Sequence, residues 1–289
     1  MTILRGALVA LVLGLFAAPA GAQEEPERLV FGMMPSLEAA RLVDTLEPLA
    51  EMLSERLGLP VEAHVATHYA GLVEAIGAGR LDMGLFGPTA LVQAVERHGA
   101  TFVLESVRHG ETSYRAQFNV HVESDIERIE DLRGRAVAFV DPGSASGYQF
   151  PYAYLQSEHG IDAEHEMQPI FAGSHDAAIL AVYNRDVDVA VSFEDARSML
   201  EEDFPDVKDQ VGVLGYTVGI PNGGLAVRAG LSRALTEAIA DALVDIVTTE
   251  EGRALTVEIF DITDFARVSE KRYREGYAIV RETLSVFEE

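Results

Sequence analysis

The sequence predicts an α/β protein of two lobes with a cleft between them. Three observations carry that expectation. Short apolar strands alternate with helical segments from Arg28 to Ser106, and the alternation starts afresh after about Val122. Between a strand and a helix of the second run lies a loop of small residues, Asp141 to Gly147.

In chain order, Arg5 followed by the apolar run Gly6 to Ala18 and by Ala20-Gly21-Ala22 reads as a cleavable signal peptide, residues 1–22. The run is shorter than the roughly 20 residues of a membrane span. The chain has no cysteine, which excludes disulfides and a lipid-modified cysteine at a mature start, so a free periplasmic protein is expected. With 22 Lys+Arg against 47 Asp+Glu the net charge is −25, which repels nucleic acid and anionic lipid. No nucleic-acid partner is expected.

Arg28 to Met33 predicts the first strand, Leu37 to Leu57 a helix stopped by Gly58, and Val61 to Ala66 the second strand. Thr67 is expected to cap a helix from Tyr69 to Ala78. Leu81 to Phe86, a helix from Thr89 to His98 opened by Gly87-Pro88, and Thr101 to Ser106 complete a largely parallel unit. Arg115 to Val122 leaves it as a longer strand. The second unit reads as a short turn at 129–134, a strand Ala136 to Val140, a helix from about Tyr148, a strand Gln168 to Phe171, a helix Asp176 to Asn184, a strand Val187 to Ser192 and a short helix Glu194 to Glu202. Val211 to Thr217 and Gly224 to Val227 are expected as strands around a turn at 220–223. Ser232 and Ser269 are placed as caps of helices 234–248 and 271–284.

The expected division is lobe 1 from 23–115 plus 221–289 and lobe 2 from 116–220, with hinge strands near 114–120 and 213–224. Ligands of open α/β sheets sit beyond the strand ends, where helix N-termini point. Here those positions hold Met34-Pro35-Ser36, Thr67-His68-Tyr69, Gly87-Pro88-Thr89, Ser144-Ala145-Ser146, Ser174-His175 and Ser192 to Asp195. Unpaired N–H groups at helix starts, with hydroxyls beside them, can cradle an oxyanion without a basic side chain, although Ser and Gly are also ordinary capping and turn residues. The helix after the serine loop is expected to start near Tyr148, because Pro151 cannot donate a backbone bond, which leaves the serines in the loop ahead of it.

LVFGMMPS, HYAGLVEAI, LDMGLFGPTA, SYRAQF, VAFVDPGSASGYQFP, AGSHDAAILAV, VDVAVSFED and IPNGGLAVR, in this order, resemble the phosphate/phosphite/phosphonate-binding proteins of ABC importers. The resemblance covers essentially the whole mature chain. It implies a type II periplasmic binding protein fold, two mixed sheets flanked by helices, closing on a phosphorus oxyanion. By the same resemblance Tyr69 is the first-lobe tyrosine, Tyr114 the tyrosine at the crossing, and His175 the family histidine. Ser144 and Ser146 match the outer two of three hydroxyl residues, with Ala145 in place of the central one. Asp195 falls where aminoalkylphosphonate binders carry an acid for the ligand's amine; their second acid falls on Gly223, so the amine pocket is at most half present. An acceptor such as Asp195 beside the ligand favours a monoanion, hence phosphite or a small alkylphosphonate.

The expected role is therefore the solute-binding component of an ABC importer: a monomer without cofactor that captures the oxyanion and docks on a membrane permease. The alternative is a sensor subunit presenting the oxyanion to a membrane histidine kinase. A serine hydrolase is the remote alternative. It needs G-x-S-x-G at a strand-to-helix elbow, and Gly143-Ser144-Ala145-Ser146-Gly147 puts Ala145 at the nucleophile's place. His68, His98, His109, His121, His159 and His165 are scattered without metal-site spacing, so no metal is expected.

Overall fold

Apolar side chains at alternate positions make Leu29–Met33 the first strand, β1, with Leu29, Phe31 and Met33 all buried on one face. Helix α1 (Ala39–Leu57) lays Leu42, Leu46, Leu49 and Leu53 on that same face at three- and four-residue spacing. Gly58, in the left-handed conformation at φ +66°, ends it. The computed structural model describes residues 26–287. The expected signal peptide lies outside the described residues.

After α1 come β2 (Val61–Val65), α2 (Tyr69–Gly77), β3 (Met83–Phe86), α3 (Pro88–His98) and β4 (Thr101–Val107). Next are β5 (Ser113–His121), β6 (Ala136–Phe139), α4 (Phe150–His159), β7 (Gln168–Phe171), α5 (His175–Tyr183), β8 (Val189–Phe193), α6 (Val207–Gln210) and β9 (Val211–Pro221). The chain finishes with β10 (Gly224–Val227), α7 (Arg233–Thr248), α8 (Glu250–Phe260), β11 (Asp264–Arg267), α9 (Glu270–Gly276) and α10 (Ala278–Ser285).

The strands form two sheets, in the orders β11-β4-β10-β3-β1-β2 and β7-β6-β8-β5-β9. Both are mixed. In the first, β1 runs parallel to β2 and β3, whereas β10 is antiparallel to β3 and β4 and β11 to β4. In the second, β6 is parallel to β7 and β8, and β5 antiparallel to β8 and β9. One face of the first sheet packs on α1 and α7; the other shares an apolar cluster (Leu72, Leu91, Phe102, Ala138, Ile179, Ala190) that runs without a break into the second sheet's half. Phe118, Val137, Phe139, Leu155 and Val191 form the core on the second sheet's other face.

Two short segments join the sheets, 108–112 between β4 and β5 and 222–223 between β9 and β10. They are bonded together, Asn222 N–H donating to Thr112 O at 2.9 Å, and Ser106 N–H near the end of β4 donates to Gly223 O at 2.9 Å. The expected turn at 220–223 is thus a crossing. Pro221 can end β9 because β9 is an edge strand, and Gly223 is required because a Cβ there would collide with the Phe86 carbonyl.

Other expectations are corrected in detail. His68, not Thr67, caps α2, its Nδ1 accepting the Gly71 N–H at 2.9 Å. The last helix is two, broken at Tyr277, whose buried hydroxyl bonds to Asn222 O and Glu105 at the crossing. The serine loop is not entirely ahead of the helix. Ser144 caps a wide, π-type turn, Ala145–Gln149, that runs straight into α4. The carbonyl of Gly147, which proline at 151 leaves without a helical donor, accepts the Val140 N–H at 3.1 Å instead.

Candidate functional site

At the carboxyl ends of β1, β3, β6 and β8 the loops of the two sheets interlock. Thr89 Oγ1 donates to Gly143 O at 3.1 Å, His175 N–H to Ser36 O at 3.0 Å, Glu38 N–H to Asp176 Oδ2 at 3.0 Å, and Arg41 to Met199 O at 2.9 Å. Between them lies a cavity of about 40 Å³. A single water needs roughly 10–15 Å³ by this measure, so the space suits a small tetrahedral ion and little more.

Six of the seven expected residues line it: Tyr69, Tyr114, Ser144, Ala145, Ser146 and His175. Each is placed by local structure. Tyr69 is the first residue of α2 and packs its Cβ against Gly143 of the serine loop. The Ser144 Oγ accepts the Gly147 N–H at 3.0 Å, and the turn it caps begins with the N–H groups of Ala145 and Ser146, which no intrahelical carbonyl reaches. Asp141 pins the loop from behind, accepting from Gly143 N–H at 2.7 Å. Tyr114 Oη stands 3.4 Å from Ser146 Oγ.

His175 opens α5 after its cap Ser174 and is buried against the Phe193 ring. Its Nδ1 accepts the Phe193 N–H at 3.2 Å, which assigns the ring proton to Nε2. Burial first, and the Arg108 charge second, push its pKa down to about 3. At neutral pH the ring is therefore an uncharged N–H donor. Burial likewise raises both tyrosines, so each keeps its phenol proton; a hydrogen bond with Ser144 partly offsets the rise at Tyr69, and the Arg108 charge does so at Tyr114.

Asp195 is not brought to the cavity. It follows β8 in the left-handed conformation at φ +60°, which turns its carboxylate away from the lining. There it meets Arg197 at 3.0 Å, Ser198 at 3.1 Å and Lys208 at 3.5 Å, half exposed beyond Phe193. None of the described lining residues is acidic.

Among the lining residues outside the expected set, two carry a buried polar atom without a partner among the described residues. Ser36 follows β1 and was legible only as a loop position; its Oγ is buried and has no partner among the described residues. Arg108, at the end of β4, lines the cavity with its guanidinium carbon 4.5 Å from the centre of the Tyr114 ring, and its buried Nε also lacks a partner. The signal that could have found it is the dipeptide His109-Gly110, a tight-turn pair at the point where the chain changes sheet.

The family model described as "ABC transporter, phosphonate, periplasmic substrate-binding protein" matches residues 31–273. The phosphate-import protein PhnD of Mycolicibacterium smegmatis is 35% identical over 179 residues, 58% of this chain and 56% of that protein's length. The phosphonates-binding periplasmic protein of Escherichia coli is 26% identical over 248 residues, 84% of this chain and 73% of that protein. Among solved structures, the binding component of an ABC phosphonate transporter from Pseudomonas aeruginosa superposes with a TM-score of 0.79 at 23% identity, covering 88% of this chain and 87% of that one. PhnD1 from Prochlorococcus marinus, in complex with methylphosphonate, gives 0.79 at 18% identity, over 91% and 99% of the two chains. These likenesses establish a fold of the type II periplasmic binding proteins, and the chain belongs to the family of periplasmic substrate-binding proteins of phosphonate ABC transporters. That is a family of binding proteins, not of enzymes.

Proposed function

We propose that this family member captures a small phosphorus oxyanion for an ABC importer, with Tyr69, Tyr114, Ser144, Ala145, Ser146 and His175 as its contacts. The observation that carries the reading is the cavity itself: small, shared between the two sheets, and walled by hydroxyl, phenol and imidazole donors with no acidic residue among its described lining. A desolvated anion needs several donors, and each of these is positioned by the element that carries it. Ala145 contributes its backbone N–H where a third hydroxyl is missing.

Closure moves a lobe of residues 23–115 plus 221–289 against one of 116–220, about hinge strands near 114–120 and 213–224. The bonds between Thr89 and Gly143 and between His175 and Ser36 belong to the closed form. Residues 1–22 serve as the signal peptide, and the monomeric, loaded protein docks on a permease of the inner membrane.

Isothermal titration of the folded protein with phosphate, phosphite, methylphosphonate and 2-aminoethylphosphonate tests the reading. Saturable heat with at least one of them is expected. Silence toward all four at micromolar protein would overturn it.

A further inference from the structure

We propose that Arg108 selects the ligand by charge: it is the counter-cation of a phosphorus oxyanion that carries no ammonium group. The inference rests on reading the cavity as an oxyanion site and narrows the ligand class.

The backbone fixes this arginine. His109 and Gly110 adopt φ +49° and +86°, the left-handed pair of a two-residue hairpin turn, and Arg108 and Glu111 exchange backbone bonds at 2.9 and 2.8 Å across it. The tip is clamped to the first sheet's half, with His109 N–H donating to Thr263 Oγ1 at 2.9 Å and the His109 ring 2.8 Å from Asp261. The side chain is then held between aromatic faces, its guanidinium carbon 4.5 Å from the Tyr114 ring centre and 5.9 Å from that of Phe193.

What the guanidinium lacks is a directly paired anion: Asp261 acts on its charge from a distance but is bound to the His109 ring. No described carboxylate forms a salt bridge with it, and its Nε is sealed from solvent without an acceptor. Burial lowers its pKa, yet a guanidinium stays protonated in proteins, so the charge is real. A half-buried cation with a sealed, unpaired Nε is costly, and an oxyanion in the cavity supplies both the charge and the acceptors. On the same lining Ser36 Oγ, 1% exposed by residue, is a second polar atom without a partner. Two orphaned polar atoms on one small cavity point to a ligand that accepts from both.

The same arrangement turns an ammonium away. Asp195 is committed to Arg197 and Lys208, and Gly223 offers no acid. An aminoalkyl substituent would be desolvated beside a like charge, in a volume of about 40 Å³. Ligands whose three oxygens share one or two negative charges and that bear a compact apolar substituent instead meet Phe86, Leu85 and Ile262 on the rest of the lining.

Titration calorimetry with methylphosphonate and 2-aminoethylphosphonate on the wild type, Arg108→Gln and Arg108→Lys tests the assignment, with thermal melting as the check on folding. The wild type is expected to favour methylphosphonate by at least about tenfold. Arg108→Gln should lose methylphosphonate affinity on the order of a hundredfold and compress that ratio, and Arg108→Lys should recover part of the loss. Equal affinity of the wild type for the two ligands, or unchanged methylphosphonate binding by a folded Arg108→Gln, overturns the proposal while leaving the oxyanion site standing. Silence of the wild type toward both, and toward phosphate and phosphite, removes the oxyanion site and this proposal together. The wild-type ratio needs no variant, so it decides even if Arg108→Gln does not fold.

Discussion

Phe193 stands between two cavities on the seam of the two halves. On one side is the small donor-lined space of about 40 Å³; on the other is a larger one of about 430 Å³, bordered by Arg41, His109, Asp195, Glu258 and Asp261. The larger cavity is richer in charge, but its charges are already matched. Arg41 faces Glu258 at 3.5 Å, His109 faces Asp261 at 2.8 Å, and Asp195 is held by Arg197 and Lys208. The smaller one keeps the unpartnered Arg108 Nε and Ser36 Oγ on its wall. What sets the smaller cavity apart, as the site proposed above, is unspent hydrogen-bonding capacity rather than volume or charge density.

The strongest way to break that contrast is to remove hydroxyls from the small cavity. Ser144→Ala together with Ser146→Ala should weaken oxyanion binding by about 3 to 6 kcal/mol, since hydrogen bonds to a charged group are worth about 1.5 to 3 kcal/mol each. Calorimetry on the double variant checks this, and unchanged affinity would place the ligand elsewhere. Ser144 also caps its turn, so a fall in melting temperature equivalent to about 1 kcal/mol is expected beside the binding loss.

Acid should reveal the buried imidazole of the small cavity. His175 titrates at about 3 in the folded chain against its ordinary 6.5, so between those values the unfolded chain binds a proton that the folded one does not. Stability on this account is fully present above pH 6.5 and declines as the pH falls toward 3, by up to roughly 4 kcal/mol. Denaturant melts of the wild type and His175→Gln across that window should differ in slope, the variant being flatter; parallel slopes would mean the ring is solvated.

A smaller effect tests the wall behind the serines. Gly147→Ala drives a methyl group into Val140 and Ser144, and overpacking of this kind costs about 1 to 3 kcal/mol, read as a lower melting temperature. Least of all should follow in the larger cavity. Asp195→Asn removes a half-exposed, self-paired charge and should change stability by under about 1 kcal/mol and oxyanion affinity by less than about twofold. A large binding loss from Asp195→Asn would erase the distinction between the two cavities.

The alternation of strand and helix made the two-sheet α/β plan legible, because period two and period 3.6 survive in Leu29, Phe31, Met33 and in Leu42, Leu46, Leu49, Leu53. The serine loop, Tyr69 and His175 were legible for a related reason: each sits at the first turn of a helix after a strand, where sequence position and spatial position coincide. Asp195 also follows a strand, and only its positive φ, invisible in the residue type, sends it to the wrong side of Phe193. At Arg108 the sequence shows only the His109-Gly110 turn beside it; its place on the cavity depends on pairings between chain segments more than a hundred residues apart, Thr112 with Asn222 and Ser106 with Gly223, which no local pattern records. The split of the last helix has the same origin, since Tyr277 answers to Asn222 and Glu105 rather than to its own neighbours.

The hairpin tip at His109-Gly110 lies on one of the two segments that pass between the sheets. If the lobes close as proposed above, parts near the crossing travel least, so the Arg108 cation beside the tip would keep its place while Tyr69 and the serines separate. The chain as a whole carries −25, a field that slows any anion drifting toward it. On the proposed role of Arg108, a fixed positive point in the cleft would turn that handicap into a filter on arrival: added salt screens the repulsive surround over ~10 Å at 0.1 M and reaches the recessed cation far less, so oxyanion capture is expected to speed up, rather than slow, as ionic strength rises.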